Sequence, residues 1–451
     1  MSYDRLEQGT KEALSPEGFN CKGILIKNHH GLERDIQKIV VDFSLSESLY
    51  SNSVVAKFSV KDSTNFFEKF PITGQETVQL ILERKTTFTK DTNPKRIELN
   101  FFITEYPIYG RSGQHTQVYS FSGIAPHAFG SSFRKISRSY NGLTTEEIKK
   151  ILIHDCNVLE DNFRLTGDPI STAKGIITRQ TPLRAANWLL SKTFDEQLAP
   201  FFLFHTIWNK VQLSSYTSLI SQEAYGQYIH TTGFSQNAQT SQDYTERSQR
   251  ILELASDLQL GKVFQGQAGA FASNNNSLDL TYKTYTKYDY GYTQDLYKKN
   301  NSLEKGTVLS RFFKTASAEI DSLYEAHSEY ISVNKGAYDG ESSTYNDLRQ
   351  QTHGITNAYR EVLDTTCHEL VLHGDMGLNP GRVVDLRFQR AMDPQSMKEL
   401  LDKNPRDIWD EHMSGRYLIT SAIHQFKEGK YYTNIKVKRD SFAINIDNID
   451  E

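Results

Sequence analysis

The stretch VVAKFSVK at residues 54–61 decides how the chain is read. Val54, Ala56, Phe58 and Val60 fall on one side of an extended backbone, and Val55, Lys57, Ser59 and Lys61 on the other. A period of two marks a half-buried antiparallel strand. The pattern spreads outward. Ile97, Leu99, Phe101 and Ile103 share one face of a second run, and Val78, Leu80 and Leu82 one face of a third. Polar stretches separate the runs, ESLYSNS at 47–53 and the charged segment 85–96, and both read as turns. From Gly18 to about Phe121 the count is about six strands in a hundred residues, which suits a small barrel or sandwich.

The period then changes. Thr144-Thr-Glu-Glu147 has the form of a capping box leading into Ile148, Ile151 and Leu152. A second helix is expected after Thr181-Pro182, with Leu183, Ala186 and Leu190 at helical spacing and Pro182 in the first turn. Residues 200–205 read as a fully apolar strand, and 208–214 as its hairpin partner. The Gln/Ser/Thr-rich residues 226–250 read as an exposed linker. Alternation returns over 251–292. Residues 293–364 are charged and partly helical, with a stripe Phe312, Phe313, Ala316, Ile320, Leu323, Tyr324 and His327. Strands are expected again over 367–373, 382–388, 417–426 and 431–439, with a short helix around Met397, Leu400 and Leu401. The hairpin at 38–62 ends AKFSVKD and that at 416–440 ends NIKVKRD, an internal similarity that permits two related β modules.

Composition bounds the function. With 451 residues, about three domains are expected. The 51 Lys and Arg against 55 Asp and Glu give a net charge of −4, which argues against a dedicated nucleic-acid binder. Aromatic residues reach 12%, with 24 Tyr and 25 Phe, which argues against disorder. Cys21, Cys156 and Cys367 lie far apart and form no disulfide framework. The charged N-terminus lacks a signal-peptide core, and the longest apolar run, Leu198 to Phe204, falls far short of the ~20 residues of a membrane span. A soluble protein of a reducing compartment, with no membrane insertion, is expected.

Motifs for chemistry are few. In CHELVLH at 367–373 the histidines are five apart, where a zincin helix needs four. As a strand the run would send His368 and His373 to opposite faces. Ser132-Phe-Arg-Lys135 is an isolated SxxK without its companion motifs. Tyr282, Tyr285, Tyr288, Tyr290 and Tyr292 read as an interface strand rather than a stacking strip, because few Arg or Lys residues interleave them. No enzyme, cofactor or metal is expected.

Three stretches carry a family resemblance. The first is IVVDFSLSES (39–48), AKFSVKD (56–62) and ITGQETV (72–78). The second is FRKISRSYNG (133–142), TPLRAANW (181–188) and the strand at 200–205. The third is LNPGRVV (378–384) and SGRYLITSAIH (414–424), followed by 431–441. In this order they resemble the central baseplate hub protein of contractile-tailed bacteriophages, which is similar to the hub part of type VI secretion spike proteins. The fold class it implies is α+β, mainly β, with two related antiparallel, tail-tube-like β-barrels, a small α/β domain and a partly helical insertion. The divisions are an arm at 1–17, a first barrel at 18–124, the α/β domain at 125–225, a linker at 226–250, a second barrel at 251–292 and 365–444, the insertion at 293–364 and a tail at 445–451. The resemblance implies a homotrimeric ring of pseudo-sixfold symmetry in the virion baseplate, assembled in the host cytoplasm. Its partners would be the tail tube protein, the spike protein, baseplate wedge proteins, the tape-measure protein and DNA in transit. Lys57, Lys61, Lys436 and Lys438, on the polar faces of the two hairpins, are the candidate lining of the channel or its rim. The competing readings are a β-rich glycan-binding or glycan-cleaving virion protein and a type VI secretion-like spike hub.

Overall fold

The computed structural model describes residues 19–83, 96–105, 108–112, 115–230, 248–257, 262–279, 283–297, 302–304, 328–333, 343–392, 408–427 and 429–442. The arm at 1–17, the helical stripe at 312–327, the short helix at 397–401 and the tail at 445–451 lie outside them. The chain is mainly β, and its sheets are mostly antiparallel.

The opening strands are β1 (Asn20–Lys27), β2 (Glu33–Asp35), β3 (Val40–Ser48), β4 (Val55–Asp62), β5 (Thr77–Glu83), β6 (Arg96–Ile103), β7 (Ile108–Arg111) and β8 (Gln117–Ile124). The middle of the chain holds β9 (Ile136–Leu143), β10 (Phe163–Thr166), β11 (Thr172–Gln180), β12 (Phe201–Thr206), β13 (Lys210–Ser215) and β14 (Gln227–His230). Then follow β15 (Ile251–Asp257), β16 (Ala272–Asp279), β17 (Thr284–Gly291), β18 (Ser328–Val333), β19 (Thr366–His373), β20 (Val383–Phe388), β21 (Gly415–Lys427) and β22 (Lys430–Arg439).

Opening and closing strands form one 14-stranded sheet, in the order β15-β19-β22-β21-β3-β4-β8-β6-β5-β1-β2, with β7 on β8 and β20 and β14 beyond β21. The pairing path of the described residues does not close on itself. The join is β3 against β21, antiparallel, from Asp42–Lys427 to Ser48–Ser421. Alternation builds this sheet as expected. In β4 the residues Ala56, Phe58 and Val60 are buried, while Lys57 and Lys61 are exposed.

The order of pairing occurs twice. β3 pairs with β4, β4 with β8, β8 with β6, and β6 with β5. Likewise β15 pairs with β19, β19 with β22, β22 with β21, and β21 with β20. Chain order and antiparallel sense match at every step. Even a bulge recurs. β3 carries one extra residue, Val41, between the rungs Val40–Val60 and Asp42–Ser59. β15 carries Leu252 between Ile251–Leu372 and Glu253–Val371. Each bulged residue is an exposed aliphatic, 48% for Val41 and 36% for Leu252. The hairpin at 38–62 therefore corresponds to β15 with β19, not to the hairpin at 416–440. The reason is that two long alternating strands are generic, whereas a bulge at a fixed rung is specific.

Three small sheets and their helices accompany the long one. Residues 126–220 place β9 with β11, and β10 parallel to β13 beside β12, around a core of Ile148, Ile151, Ala186, Leu189, Phe201 and Leu213. The helix Pro182–Leu190 begins as expected, with proline at its first position. The capping box does not form. Leu143 holds the N-cap position, and the Thr144 hydroxyl bonds Ser171 instead. Residues 227–230, expected within a linker, form β14 on β20. Between β15 and β19, where the first half has only the turn at 49–54, β16 lies between β17 and β18 in a separate sheet. The helix Ser343–Leu363 packs on β16, burying Ala358, Tyr359 and Val362 with Phe271, Tyr290 and Tyr292. No helix among the described residues is long and apolar enough to cross a membrane.

Candidate functional site

The two faces of the long sheet differ sharply, and the difference follows from the alternation. Residues paired across neighbouring strands project from the same face. One row runs Ser122, Lys57, Ser44, Gln425, Tyr432, His373 across β8, β4, β3, β21, β22 and β19. A second runs Ser48, Ser421, Lys436, Glu369, Ala255. Ser46 on β3 fills the rung between, and Ser120, Ser59, Asp42 and Lys427 form the rung on the other side of the first row. This face carries small hydroxyls together with both lysines and carboxylates, Lys57, Lys427 and Lys436 beside Asp42, Glu253 and Glu369.

All four lysines singled out from the sequence lie on this face, but they are not equivalent. Lys57 and Lys61 are exposed and form no ion pair among the described residues. Lys436 reaches Glu369 on the next strand, Nζ to Oε1 3.1 Å. Lys438 donates to Asp364, just past the helix Ser343–Leu363, and lies 5.6 Å from the Tyr50 ring centroid. Such a surface offers hydrogen bonds without bulk, and a weak sequence-independent attraction for a polyanion.

The opposite face holds the seam together. Five rings follow one another across five strands: Phe121, Phe58, Phe43, Phe426 and Tyr431. Their centroids are 5.3, 6.1, 4.4 and 4.3 Å apart in that order. Aromatic pairs of this kind add about 0.5–1.5 kcal/mol each beyond area burial.

Beside the rings sits a buried polar lock. The Glu47 carboxylate accepts from Asn379 Nδ2 at 2.8 Å, His424 Nε2 at 3.2 Å and the Ile207 backbone N–H at 2.8 Å. His424 Nδ1 meets the Tyr431 hydroxyl at 2.7 Å, and Trp208 Nε1 donates to Asn379 Oδ1 at 2.8 Å. One carboxylate thus ties β3 to β21, to the β12–β13 turn and to the loop before β20. The polarity of residues 47–53 puts Glu47 in a turn. It lies inside β3, in phase with Phe43 and Leu45, and that phase was the available signal of a buried acid. His424 falls in phase with Ala422 and Phe426 in the same way.

The other candidates separate. His368 is buried and its ring lies beside Phe388 and Tyr417, whereas His373 is half-buried on the polar face; the two do not converge. Burial and the charge of Arg439 lower His368 to about 4. Tyr285 on β17 is exposed, while Tyr290 and Tyr292 pack under the insertion helix.

Among solved structures, the chain is similar to the tail protein from Neisseria meningitidis MC58, with a TM-score of 0.54 at 10% identity, covering 94% of this chain and 98% of that one. It is similar also to the 43 kDa tail protein of prophage MuSo2 from Shewanella oneidensis, with a TM-score of 0.52 at 13% identity, covering 93% and 98%. No protein-family model and no curated protein sequence matches the chain. The chain has the fold of these phage tail proteins.

Proposed function

We propose that the chain is the structural hub of a phage-type tail baseplate. Three copies form a ring in which each contributes two similar β modules, so that threefold symmetry presents six near-equal positions. One side of the ring receives a hexameric tail tube and the other a trimeric spike. The hydroxyl- and lysine-bearing face lines the passage through which the tape-measure protein and DNA move, and the completed hub resides in the virion. The role is mechanical, without turnover of a substrate.

The observation that carries this reading is the repeated strand order with its repeated bulge, set side by side in one continuous sheet. A shift of four strands along the sheet maps β3 onto β15 and keeps every strand direction, which is how rotated copies in a ring relate to one another. The smooth polar face suits a polymer that must pass without being held. Light scattering of the purified chain tests the stoichiometry: three chains per particle are expected, and a chain that stays single at high concentration refutes the ring.

A further inference from the structure

The β3–β21 seam joins the two strand sets inside one chain, and it specifies how a second chain would join. By the repeated pairing order, β15 stands where β3 stands. β7 stands where the second half of β21 stands. Ile108 faces Ser120, four residues along β8 from the rung Ile124–Phe102–Thr77. Ile423 faces Asn434, four residues along β22 from the rung Lys438–Leu418–Val383. β21 uses its remaining edge to hold β3. Among the described strands, none pairs with the edge of β7 away from β8, nor with the edge of β15 away from β19 over Glu253–Asp257; β14 meets the chain only at Arg250, just before β15. Unpaired edges of this sort invite another strand.

We propose that β15 of one copy pairs antiparallel with β7 of the next, repeating the internal seam between chains. The inference rests on the ring reading above and names the edges that close it. Such a contact is head-to-tail, so it propagates until the ring shuts. The register transfers directly. Ser44 faces Gln425 and Asp42 faces Lys427 within the chain. Carried across, Ala255 faces Gly110 of the next copy, and Glu253 faces its Ser112. The bulge at Leu252 repeats that at Val41, just beyond the paired rungs in each case. Ala255, Glu253, Gly110 and Ser112 are all exposed in the single chain, and a side chain added at Gly110 meets nothing within 4 Å.

Cysteine cross-linking tests the pairing, in a Cys21→Ser background. Directly opposed residues have Cβ atoms about 4.5–5.5 Å apart, while diagonal neighbours lie about 7–8 Å apart. Gly110→Cys with Ala255→Cys, and Ser112→Cys with Glu253→Cys, should give covalently closed three-chain species on mild oxidation. The diagonal combination Ser112→Cys with Ala255→Cys should give about fivefold less. Trimers with no excess for the opposed pairs overturn this pairing and leave the ring reading standing; chains that remain single before oxidation overturn both. Should a cysteine variant fold poorly, hydrogen exchange of the parent chain decides the matter. Amides of β7 and β15 must slow as the ring assembles, and unchanged rates overturn the pairing.

Discussion

Phe43 on β3 and Phe426 on β21 stack across the seam, with ring centroids 4.4 Å apart and planes 13° from parallel. Both rings are buried, and each continues a row of rings on its own side. Replacing Phe426 by Ala removes the ring that joins Phe43 to Tyr431 and leaves a cavity. The expected loss is about 3–5 kcal/mol of unfolding free energy. Lys57→Ala, on the opposite face of the same sheet, should change it by less than about 0.5 kcal/mol. Urea denaturation of the two variants decides whether the buried face alone holds the seam.

Glu47 is the second point of failure. Its two oxygens accept three hydrogen bonds in a site closed to water. Glu47→Gln keeps the shape but turns one acceptor oxygen into a donor, so at least one buried N–H loses its partner. An unsatisfied buried group costs about 1–3 kcal/mol. The measurement is again the urea midpoint, and a variant as stable as the parent would show that the carboxylate is not the tie between the strand sets.

Gly374 precedes the loop that supplies Asn379. A Cβ added there would lie 2.1 Å from ring atoms of Tyr431, the last ring of the aromatic row. Gly374→Ala must push that ring away from both Phe426 and His424. A loss of about 1–3 kcal/mol is expected, the usual scale for overpacking. Near-ultraviolet circular dichroism should report a changed tyrosine environment, and an unaltered spectrum with full stability would contradict the packing described.

Acid should weaken the fold through its buried histidines. Burial, reinforced by the nearby His127, lowers His205 to about 3, and His368 is lowered to about 4. An unfolded histidine titrates near 6.5. Below that pH the unfolded chain takes up protons that the native chain refuses, so stability is complete above about pH 6.5 and falls as the pH drops toward 4. His205→Gln should flatten this slope. A pH series of denaturation curves checks it, and equal slopes for parent and variant would exclude His205 as a source.

The lysines of the polar face should act on polymers rather than on stability. Lys57 and Lys61 are exposed, whereas Lys436 and Lys438 already hold carboxylates. For the assembled particle and a short DNA duplex, Lys57→Gln should lower the slope of log affinity against log salt by about 1. Lys438→Gln should change the slope less and the stability more, because it frees Asp364. Identical slopes for both variants would argue that neither amine faces the passing polymer.

Much of this arrangement is legible in the sequence. The alternation at 54–61 and 97–103 fixes β4 and β6 and the phase of their buried faces. The apolar run at 200–205 becomes β12, and Pro182 starts its helix. The correspondence between strand sets is not legible, because β15 and β19 pair locally in space yet are separated by residues 258–365 in the chain. A shared bulge appears only when rungs can be counted. The lock at Glu47 lay within reach, since Phe43, Leu45 and Glu47 share one phase. The polarity of 47–53, which reads as a turn, hides it. The capping box failed for a related reason: Thr144 has a better partner in Ser171, which no local pattern reveals.

Averaged electron micrographs of the purified particle, viewed down its axis, bear most directly on whether one chain occupies two of six equivalent places. An annulus built from three chains is expected, with six lobes of similar size around an open centre. A solid particle, or a ring of three lobes with no sixfold character, would contradict it.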